Sequence, residues 1–401
     1  MFRLLYIYTT WILSLFVPFV SVFSSKVANF FRLRKSAIAV KPGQVKYWIH
    51  AASLGEYEMA LPLIAELLKT HQQEDILITV FSPSGYTQAV KGEYADRVMY
   101  LPLDTLSSVK QFYKTYAPQK AIFIRYDFWY NFVFKGQKRG TTFYLVNGRF
   151  QESHFFFKWY GKPYVALLKK FEGIFTSDEK SSKLLKAHGV QNVSYTGDTR
   201  YDRVAAIAQS AKTFEKIAEF KGNRSLLILG SSWREEEELV NKLLKVAPQN
   251  LAVLIAPHDL SRSDEIVELL QDFKPKKYTD NSFSAGDQVL ILDTMGMLSS
   301  MYQYADFALV GGGFSGALHN ILEPAVWGCH LSYGPNSYKF PEAQDFVEAG
   351  FAYSITNDKE WIDLLQALCA DDNTLETSKA KAKMFTAANI GATSRIILSI
   401  R

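Results

Sequence analysis

A carboxylate stands where an apolar strand pattern gives way to a helix. The run at residues 45–50 is followed by Ser53-Leu54-Gly55-Glu56 and then by apolar residues at helical spacing. Gly55 lets the backbone turn tightly, and a helix N-terminus favours anions. Because α/β folds bind ligands at the carboxyl ends of their strands, Glu56 is placed to accept a proton from an attacking hydroxyl. The alternative, which the local sequence favours, is that Glu56 only complements the helix dipole.

A second polar cluster follows a later strand pattern at residues 307–310. The glycine-rich turn Gly311-Gly312-Gly313-Phe314-Ser315-Gly316 precedes His319, Asn320, Ile321, Leu322 and Glu323. Glycines let a phosphate or a sugar approach the backbone, and the next helix offers unpaired N–H groups. Asn320 and Glu323 share one helix face, where a carboxylate suits ribose hydroxyls. This is not the dinucleotide fingerprint, which belongs to a first βα turn. A glycine-rich turn with a capping acid is the alternative.

Two further strand ends carry residues suited to an anion or a nucleobase. Arg234 follows Gly230-Ser231-Ser232-Trp233 and suits bidentate phosphate contact, whereas the acidic run 235–238 is predicted to be a solvated helix face. In the stretch 293–298, Met295, Gly296 and Met297 could hold a nucleobase. Taken alone, this stretch is typical of an ordinary capped helix start.

The histidines give a weaker indication. His258 follows Pro257 at a strand end and could bind phosphate, whereas most of the others are predicted to be structural or surface residues. No Asp-x-Asp with adjoining ligands and no Ser-His-Asp arrangement stands out. The sequence therefore predicts metal-independent chemistry without a cofactor.

Short apolar runs alternate with helical stretches along the chain. Strands are predicted at residues 45–50, 76–81, 98–101, 120–124, 142–146 and 173–176, and again, after a polar helical stretch at 203–223, at 225–229, 251–256, 289–292, 307–310 and 330–332. Two such series predict an α/β protein of two Rossmann-like, doubly wound domains facing a cleft. We place them at residues 26–202 and 203–401. The last helix, with a break near 389–391, is able to pack back on the first domain.

The N-terminal segment differs in composition from the rest of the chain. Residues 4–23 carry no charge and are long enough to span a bilayer as a helix. The basic flank Lys26, Arg32, Arg34 and Lys35 favours a cytoplasmic position for the protein body. We therefore predict a membrane anchor at residues 1–25. A signal peptide is disfavoured by the lack of a cleavage site, and a helix lying in the membrane interface is an alternative because of Pro18.

Composition and net charge exclude several classes of protein. The 401 residues are 48% apolar and 21% charged, which is globular composition and, at this length, predicts two domains. A net charge of +5 fits an anionic membrane surface or phosphorylated ligands and is too small to indicate nucleic acid. Cys329 and Cys369 lie in no disulfide or zinc pattern.

Taken together, these segments resemble the 3-deoxy-D-manno-octulosonic acid (Kdo) transferase family over nearly the whole chain. Each segment is weak alone, but their order and spacing are specific. The segments are residues 50–56, 82–86, 146–149, 197–202, 293–296, 320–324 and 334–335.

The resemblance implies a GT-B fold with an acceptor domain followed by a domain that binds CMP-Kdo. It implies an inverting transfer to the lipid A precursor lipid IVA at the cytoplasmic face of the inner membrane. Glu56 matches the family's catalytic base. The donor-binding residues it implies are Ser53, Gly55, Arg234, Pro257, His258, Met295, Gly296, Met297, His319, Asn320, Ile321, Leu322 and Glu323.

Four departures from the family pattern bear on the site residues. Arg125 stands where the family commonly has an acid, two places before Asp127, and Arg200 stands where a lysine is common. Arg125, Asp127 and Arg200 match proposed transition-state or acceptor contacts. Pro257-His258-Asp259 replaces the family's Pro-Arg-His, and Met297 replaces a frequent acid.

Three other functions stay open from the sequence. One is a GT-B glycosyltransferase that uses a UDP- or GDP-sugar, and another is a non-hydrolysing sugar-nucleotide epimerase. The third is a membrane-attached binding protein that has lost catalysis. The substitution at Arg125 favours the third, and the presence of Glu56 opposes it.

Overall fold

A computed structural model describes residues 2–35 and 40–400. The chain separates into two compact units, the first formed by Met1–Arg203 and Ile390–Arg401 and the second by Val204–Asn389. Within the described residues, each unit contains a seven-stranded sheet whose paired strands are all parallel. The predicted α/β class with two Rossmann-like domains is therefore confirmed.

The sheet of the first unit has the strand order β3-β2-β1-β4-β5-β6-β7. Its strands are β1 (Tyr47–Ala51), β2 (Ile76–Val80), β3 (Val98–Tyr100), β4 (Lys120–Ile124), β5 (Thr142–Gly148), β6 (Gly173–Thr176) and β7 (Val193–Tyr195). The chain winds outward from β1 to β3 and then returns to place β4 beside β1. The carboxyl ends of β1 and β4 therefore flank the topological switch point, where doubly wound folds bind ligands.

The helices of the first unit follow its strands. They are α1 (Phe2–Phe23), α2 (Ser25–Lys35), α3 (Leu54–Leu68), α4 (Pro83–Ala89), α5 (Leu106–Thr115), α6 (Tyr130–Gln137), α7 (Lys162–Leu168), α8 (Glu179–Ala187) and the start of α9 (Thr199–Gln209). Alternate residues of the strands enter two separate cores: Trp48 packs on one face and Ile49 on the other. Near-continuous apolar strands are expected for a sheet covered on both faces.

The second unit repeats this plan with the strand order β10-β11-β9-β8-β12-β13-β14. Its strands are β8 (Ser225–Ser232), β9 (Leu251–Pro257), β10 (Lys276–Lys277), β11 (Val289–Ile291), β12 (Phe307–Val310), β13 (His330–Tyr333) and β14 (Ala352–Ser354). Its helices are α10 (Glu215–Lys221), α11 (Arg234–Leu244), α12 (Ser263–Leu269), α13 (Leu298–Met301), α14 (Leu322–Trp327), α15 (Pro341–Glu348), α16 (Asp358–Ala370) and α17 (Asp372–Asn389). The switch point here lies between β8 and β12.

The last helix, α18 (Ala392–Ile400), belongs to the first unit. The predicted break near residues 389–391 is confirmed, because Gly391 takes a φ of +100° between α17 and α18. The carboxylate of Asp202 accepts hydrogen bonds from the backbone N–H groups of Gly391 and Thr393. The start of α18 is therefore fixed by an acid from its own unit.

Side-chain hydrogen bonds attach both N-terminal helices to the rest of the first unit. The Tyr6 hydroxyl donates to the buried carboxylate of Asp104 at 2.7 Å, and the Arg34 guanidinium donates to the carbonyls of Phe81 and Leu101. Across the described ranges, no helix has the length and apolar character needed to cross a membrane. The structure thus gives no support to the spanning anchor predicted at residues 1–25.

Candidate functional site

Glu56 lies at the switch point of the first sheet, in the first turn of α3. Ser53 caps this helix, and its hydroxyl accepts a hydrogen bond from the Glu56 N–H at 3.4 Å. The Glu56 carboxylate turns back and accepts from the Ala52 N–H at 2.6 Å. A side chain added at Gly55 would meet no atom within 4 Å, so the surface beside Glu56 is open.

The surroundings of Glu56 change its acidity. Burial raises the pKa of Glu56 from 4.5 to about 7, in spite of the Ala52 hydrogen bond. The negative charge of Asp127 raises this pKa further, and the positive charge of Arg125 lowers it. A carboxylate whose pKa lies near neutrality is suited to general-base catalysis, whereas a helix cap gains nothing from that shift.

Asp127 follows β4, the strand beside β1. Its carboxylate lies 3.9 Å from Nε2 of His50. Burial raises the pKa of Asp127 to about 6 and lowers that of His50 to about 3, so His50 is neutral at pH 7. Nδ1 of His50 lies 2.9 Å from the Thr79 hydroxyl, and Nε2 has no hydrogen-bond partner among the described residues. His50 is thus a buried neutral neighbour of Asp127.

Arg125 occupies the first position after β4 in a left-handed conformation, with a φ of +64°. Its N–H donates to the Val146 carbonyl at 2.8 Å, which holds the turn to β5. This conformation is uncommon for a residue other than glycine and often marks a functional turn. The positive charge of Arg125 lowers the pKa of both Glu56 and Asp198.

Arg200 is held by an adjacent acid. Its guanidinium donates two hydrogen bonds to Oδ2 of Asp198, at 2.8 and 3.0 Å. Burial would raise the pKa of Asp198, but the charge and hydrogen bonds of Arg200 outweigh burial and lower it. Asn147 reaches this turn as well, because its amide donates to the Thr199 hydroxyl at 2.7 Å.

In the second unit, three rings gather at the ends of β8, β9 and β12. Trp233 stacks on His258 with ring centroids 4.5 Å apart, and His258 lies 4.7 Å from His319. Burial lowers the pKa of His319, and the neighbouring His258 lowers it further. A pocket of about 500 Å³ opens beside them, lined by Trp233, His258, Asp259, Leu260, Arg262 and Met295. Aromatic and apolar walls of this kind suit a nucleobase.

At the first three glycines of the turn after β12, a side chain would collide with backbone atoms. Gly312 has a φ of +83°, and a Cβ at Gly313 would lie 2.4 Å from the Gly334 nitrogen. Glu236 stabilises the turn from α11, since its carboxylate accepts from the Gly312 N–H at 2.9 Å. The glycines therefore permit close backbone packing. This supports the alternative interpretation, a structural turn, over a turn that admits a ligand.

Asn320 and Glu323 lie together at the start of α14, as their spacing indicates. The Asn320 amide donates to Glu323 at 3.0 Å, and the Ser299 hydroxyl donates to the other carboxylate oxygen. The side chains of Ile321 and Leu322 are buried in the core. Only the backbones of these two residues are therefore available to a ligand.

The remaining predicted donor residues differ in accessibility. Met295 is 76% exposed, and Gly296 beside it has a φ of +82°. Met297 is half-buried, and its sulfur accepts from the Thr294 hydroxyl. Pro257 is buried at the end of β9. The Arg234 side chain is 55% exposed and pairs with Glu238 at 2.7 Å.

The prediction of a solvated acidic face on α11 was wrong for two of its four residues. Glu236 and Glu237 are fully buried, whereas Glu235 and Glu238 are exposed. Glu237 accepts two hydrogen bonds from Arg262, at 2.7 and 2.9 Å, and one from Ser232. The sequence does indicate the burial of Glu236, because this residue has the same helical spacing as the buried residues Leu239, Val240 and Leu243.

The predicted residues fall into two groups. The first unit holds Ser53, Gly55, Glu56, Arg125, Asp127 and Arg200, and the second unit holds the others. Trp233 and Arg262 were missed, whereas His50, predicted to be structural or at the surface, is buried. A tryptophan next to a strand end was the available sign for Trp233, whereas the pairing of Arg262 with Glu237 depends on tertiary structure. Among the described residues, no group of three metal-ligating side chains is present.

Comparison with known proteins finds a matching family model and several similar proteins. A family model described as 3-Deoxy-D-manno-octulosonic-acid transferase (kdotransferase) matches residues 28–203. The 3-deoxy-D-manno-octulosonic acid transferase of Aquifex aeolicus is 28% identical over 329 residues, which cover 80% of this chain and 85% of that protein. That of Haemophilus influenzae is 29% identical over 312 residues, covering 74% and 72%.

Solved structures give the fold. The UDP-GlcNAc 2-epimerase of Neisseria meningitidis, bound to UDP-GlcNAc, matches with a TM-score of 0.62 at 15% identity. The match covers 89% of this chain and 99% of that chain. At this identity the likeness shows a shared two-domain α/β architecture and nothing about the reaction.

Proposed function

The chain belongs to the Kdo transferase family, and we propose that it transfers Kdo from CMP-Kdo to lipid IVA with inversion and without a metal. It is thus a glycosyltransferase. The observation that carries the mechanism is Glu56, a carboxylate at the switch point whose pKa lies at about 7. A substantial fraction of Glu56 is ionised at neutral pH, and its conjugate acid is strong enough to release the proton afterwards.

The proposed reaction is one displacement at the anomeric carbon of Kdo. A hydroxyl oxygen of the glucosamine disaccharide forms the new bond, and its proton passes to Glu56. The bond between the anomeric carbon and the phosphate oxygen of CMP breaks, and CMP leaves with that electron pair. Because one phosphate leaves rather than a diphosphate, fixed protein charges are sufficient to stabilise it.

The second unit would bind the donor. The pocket beside Trp233, His258 and Met295 offers flat and apolar surfaces for a cytosine, while Asn320 and Glu323 suit ribose hydroxyls. Arg234 would meet the phosphate. For this it must exchange its contact with the exposed Glu238, which costs little because surface ion pairs are weak.

The first unit would bind the acceptor. Arg125, Arg149 and Arg200 follow β4, β5 and β7, at the carboxyl edge of the sheet where Glu56 lies. Arg149 lies 3.7 Å from Asp178, and Arg200 pairs with Asp198, so both are held in place by acids. These cations suit the phosphates of the lipid or the Kdo carboxylate. We place the protein at the cytoplasmic face of the inner membrane, attached through its N-terminal segment.

The deciding experiment is mass spectrometry of lipid IVA incubated with CMP-Kdo and this protein. The expected product is heavier by one or more Kdo residues. Glu56→Gln should reduce turnover by about 10²- to 10⁴-fold while CMP still stabilises the protein against heat. Glu58→Gln is the matched control, because Glu58 lies in the same helix but pairs with Arg203 at the surface. Full activity of Glu56→Gln would rule out the base assignment.

A second candidate follows from the fold. An epimerase bound to a UDP-sugar shares this architecture, so the architecture alone does not select the nucleotide. Thermal denaturation with CMP, UDP and GDP distinguishes the candidates. Stabilisation by CMP alone supports the Kdo reaction, whereas stabilisation by UDP together with turnover of a UDP-sugar in the absence of acceptor supports an epimerase.

A further inference from the structure

Helix α1 has an inner face that docks on the first unit and an outer face that is apolar and exposed. On the inner face, Phe2 and Tyr6 pack against Tyr130, with ring centroids 5.3 Å apart in both pairs. The Tyr6 hydroxyl also donates to Asp104. On the opposite, outer face, five large apolar or aromatic residues are each between 45% and 65% exposed: Leu4, Leu5, Tyr8, Trp11 and Ile12.

Both ends of this helical segment are held by the same unit. Phe2 and Tyr6 fix the start of α1, and Arg34 fixes α2 by stacking 4.6 Å from the Phe81 ring while donating to two carbonyls. A helix crossing a bilayer would carry its first residues to the side opposite the protein body. The contacts therefore favour an α1 that lies along the surface of the unit.

A second exposed apolar element neighbours the docked end of α1. In the segment 155–160, Trp159 is 82% exposed, Tyr160 51% and Phe155 42%. Phe155 contacts Tyr164 at 5.1 Å, and Tyr164 contacts Phe2 at 6.0 Å. Tryptophan and tyrosine are the residues enriched at the interface between a membrane and water.

The charged residues within these segments are all basic. The first acidic residue of the chain is Glu56, so α1 and α2 contain none, and no acid occurs between Glu152 and Glu172. Lys158 and Lys162 flank the exposed aromatics. Exposed apolar side chains bordered by cations match a surface of anionic lipid, where each nearby cation adds to the attraction.

We propose that the outer face of α1 and residues 155–160 form one membrane-docking surface, which lies on an anionic bilayer with α1 parallel to the membrane plane. This inference rests on the proposed function in that the acceptor is a lipid. It goes further by assigning the contact to two elements and by placing both ends of α1 on one side of the membrane.

The first test is sedimentation of the full chain with vesicles of phosphatidylcholine and phosphatidylglycerol in equal parts. The double variant Trp159→Ser/Tyr160→Ser should bind about tenfold more weakly than the wild type. The matched control is Tyr338→Ser/Met384→Ser, which removes two side chains of similar exposure, 79% and 73%, from the second unit and should bind normally. Equal binding by both variants, or dimerisation through this face without lipid, would overturn the proposal.

The second test is sidedness. The native cysteines are buried, so Arg3→Cys and Ser25→Cys introduce accessible thiols at the two ends of α1. A membrane-impermeant maleimide should label both only after spheroplasts are lysed. Labelling of the thiol at position 3 in intact spheroplasts would show a spanning helix and refute the parallel arrangement. Kdo transfer to acceptor in detergent is measured beside both tests, so that failure of the docking surface is separable from failure of the proposed function.

Discussion

The carboxyl group of Glu56 is partly withdrawn from water, and this sets the pH range in which it is ionised and able to accept a proton. An ordinary glutamate is ionised well below neutrality. Burial moves the pKa of Glu56 to about 7, so at pH 6 most of the protein carries a protonated Glu56 that accepts no proton. The strong hydrogen bond from Ala52 favours the ionised form but does not offset burial.

The pH dependence of kcat/KM should therefore show a basic requirement near neutrality. Because the base must be ionised, kcat/KM should rise about tenfold per pH unit below pH 7 and level off above it. Initial rates with CMP-Kdo at low substrate concentration measure this profile, which reports the free enzyme. A rising limb centred near pH 4.5 would place the base in water, contrary to the structure.

Two neighbouring charges should move this limb in opposite directions. Asp127→Asn removes a negative charge that raises the pKa of Glu56, so the limb should shift to lower pH. Arg125→Asn removes a positive charge that lowers it, so the limb should shift to higher pH, and asparagine tolerates the left-handed backbone at this position. The position of the limb is the readout, independent of its height. Shifts of the same sign in both variants would contradict the electrostatic assignment.

At the scale of elements, α11 carries two arginine–glutamate pairs with different surroundings. Arg262, the residue just before α12, pairs with the buried Glu237, whose side chain is 1% exposed. Arg234 pairs with the exposed Glu238. Arg262→Met should lower the free energy of unfolding by about 3–5 kcal/mol, because it leaves a buried carboxylate without its cation.

Arg234→Met is the matched control for that change. It should leave the free energy of unfolding unchanged in urea denaturation and should instead raise the KM for CMP-Kdo. The two variants thus separate a residue that supports the fold of α11 from one that is proposed to bind phosphate. Equal losses of stability would mean that the exposure of the two pairs has no energetic consequence.

The central elements follow directly from sequence pattern, and the peripheral ones do not. Buried strands such as β1 and β9 read as continuous apolar runs because both faces of the sheet are covered. The edge strands β7 and β14 were missed, since they have three residues each and only partly buried side chains. The two-residue β10 carries lysines and has no apolar pattern at all.

The candidate site shows the same limit. Strand ends placed Glu56 and His258 at the carboxyl edges of the sheets, because parallel strands collect their carboxyl ends on one side. Asp127 was predicted only from the family resemblance. The membrane helix was predicted from length and lack of charge alone. Hydropathy does not register contacts such as that of Tyr6 with Asp104, which depend on how the helix meets the folded unit.

At the scale of the molecule, the chain leaves the first unit after Arg203 and re-enters it at Ile390. Helix α18 packs Ile396, Ile397 and Ile400 into the core of the first unit that contains Ile49. The Ile400 carbonyl accepts a hydrogen bond from Lys120 on β4. The stability of the first unit thus depends on residues synthesised after the whole second unit.

This dependence predicts opposite outcomes for adjacent residues of α18. Ile397 is 2% exposed and Leu398 is 75% exposed. Ile397→Ala should lower the free energy of unfolding of the first unit by about 2–5 kcal/mol, since it leaves a cavity in a closed core. Leu398→Ala should change it by less than about 0.5 kcal/mol. Hydrogen exchange resolves the units, and in Ile397→Ala the loss of protection should concentrate in β1, β4 and α3 while β8 and β9 remain protected. A loss shared equally by both sheets would mean that the two units unfold as one, and that α18 serves the whole chain rather than the first unit.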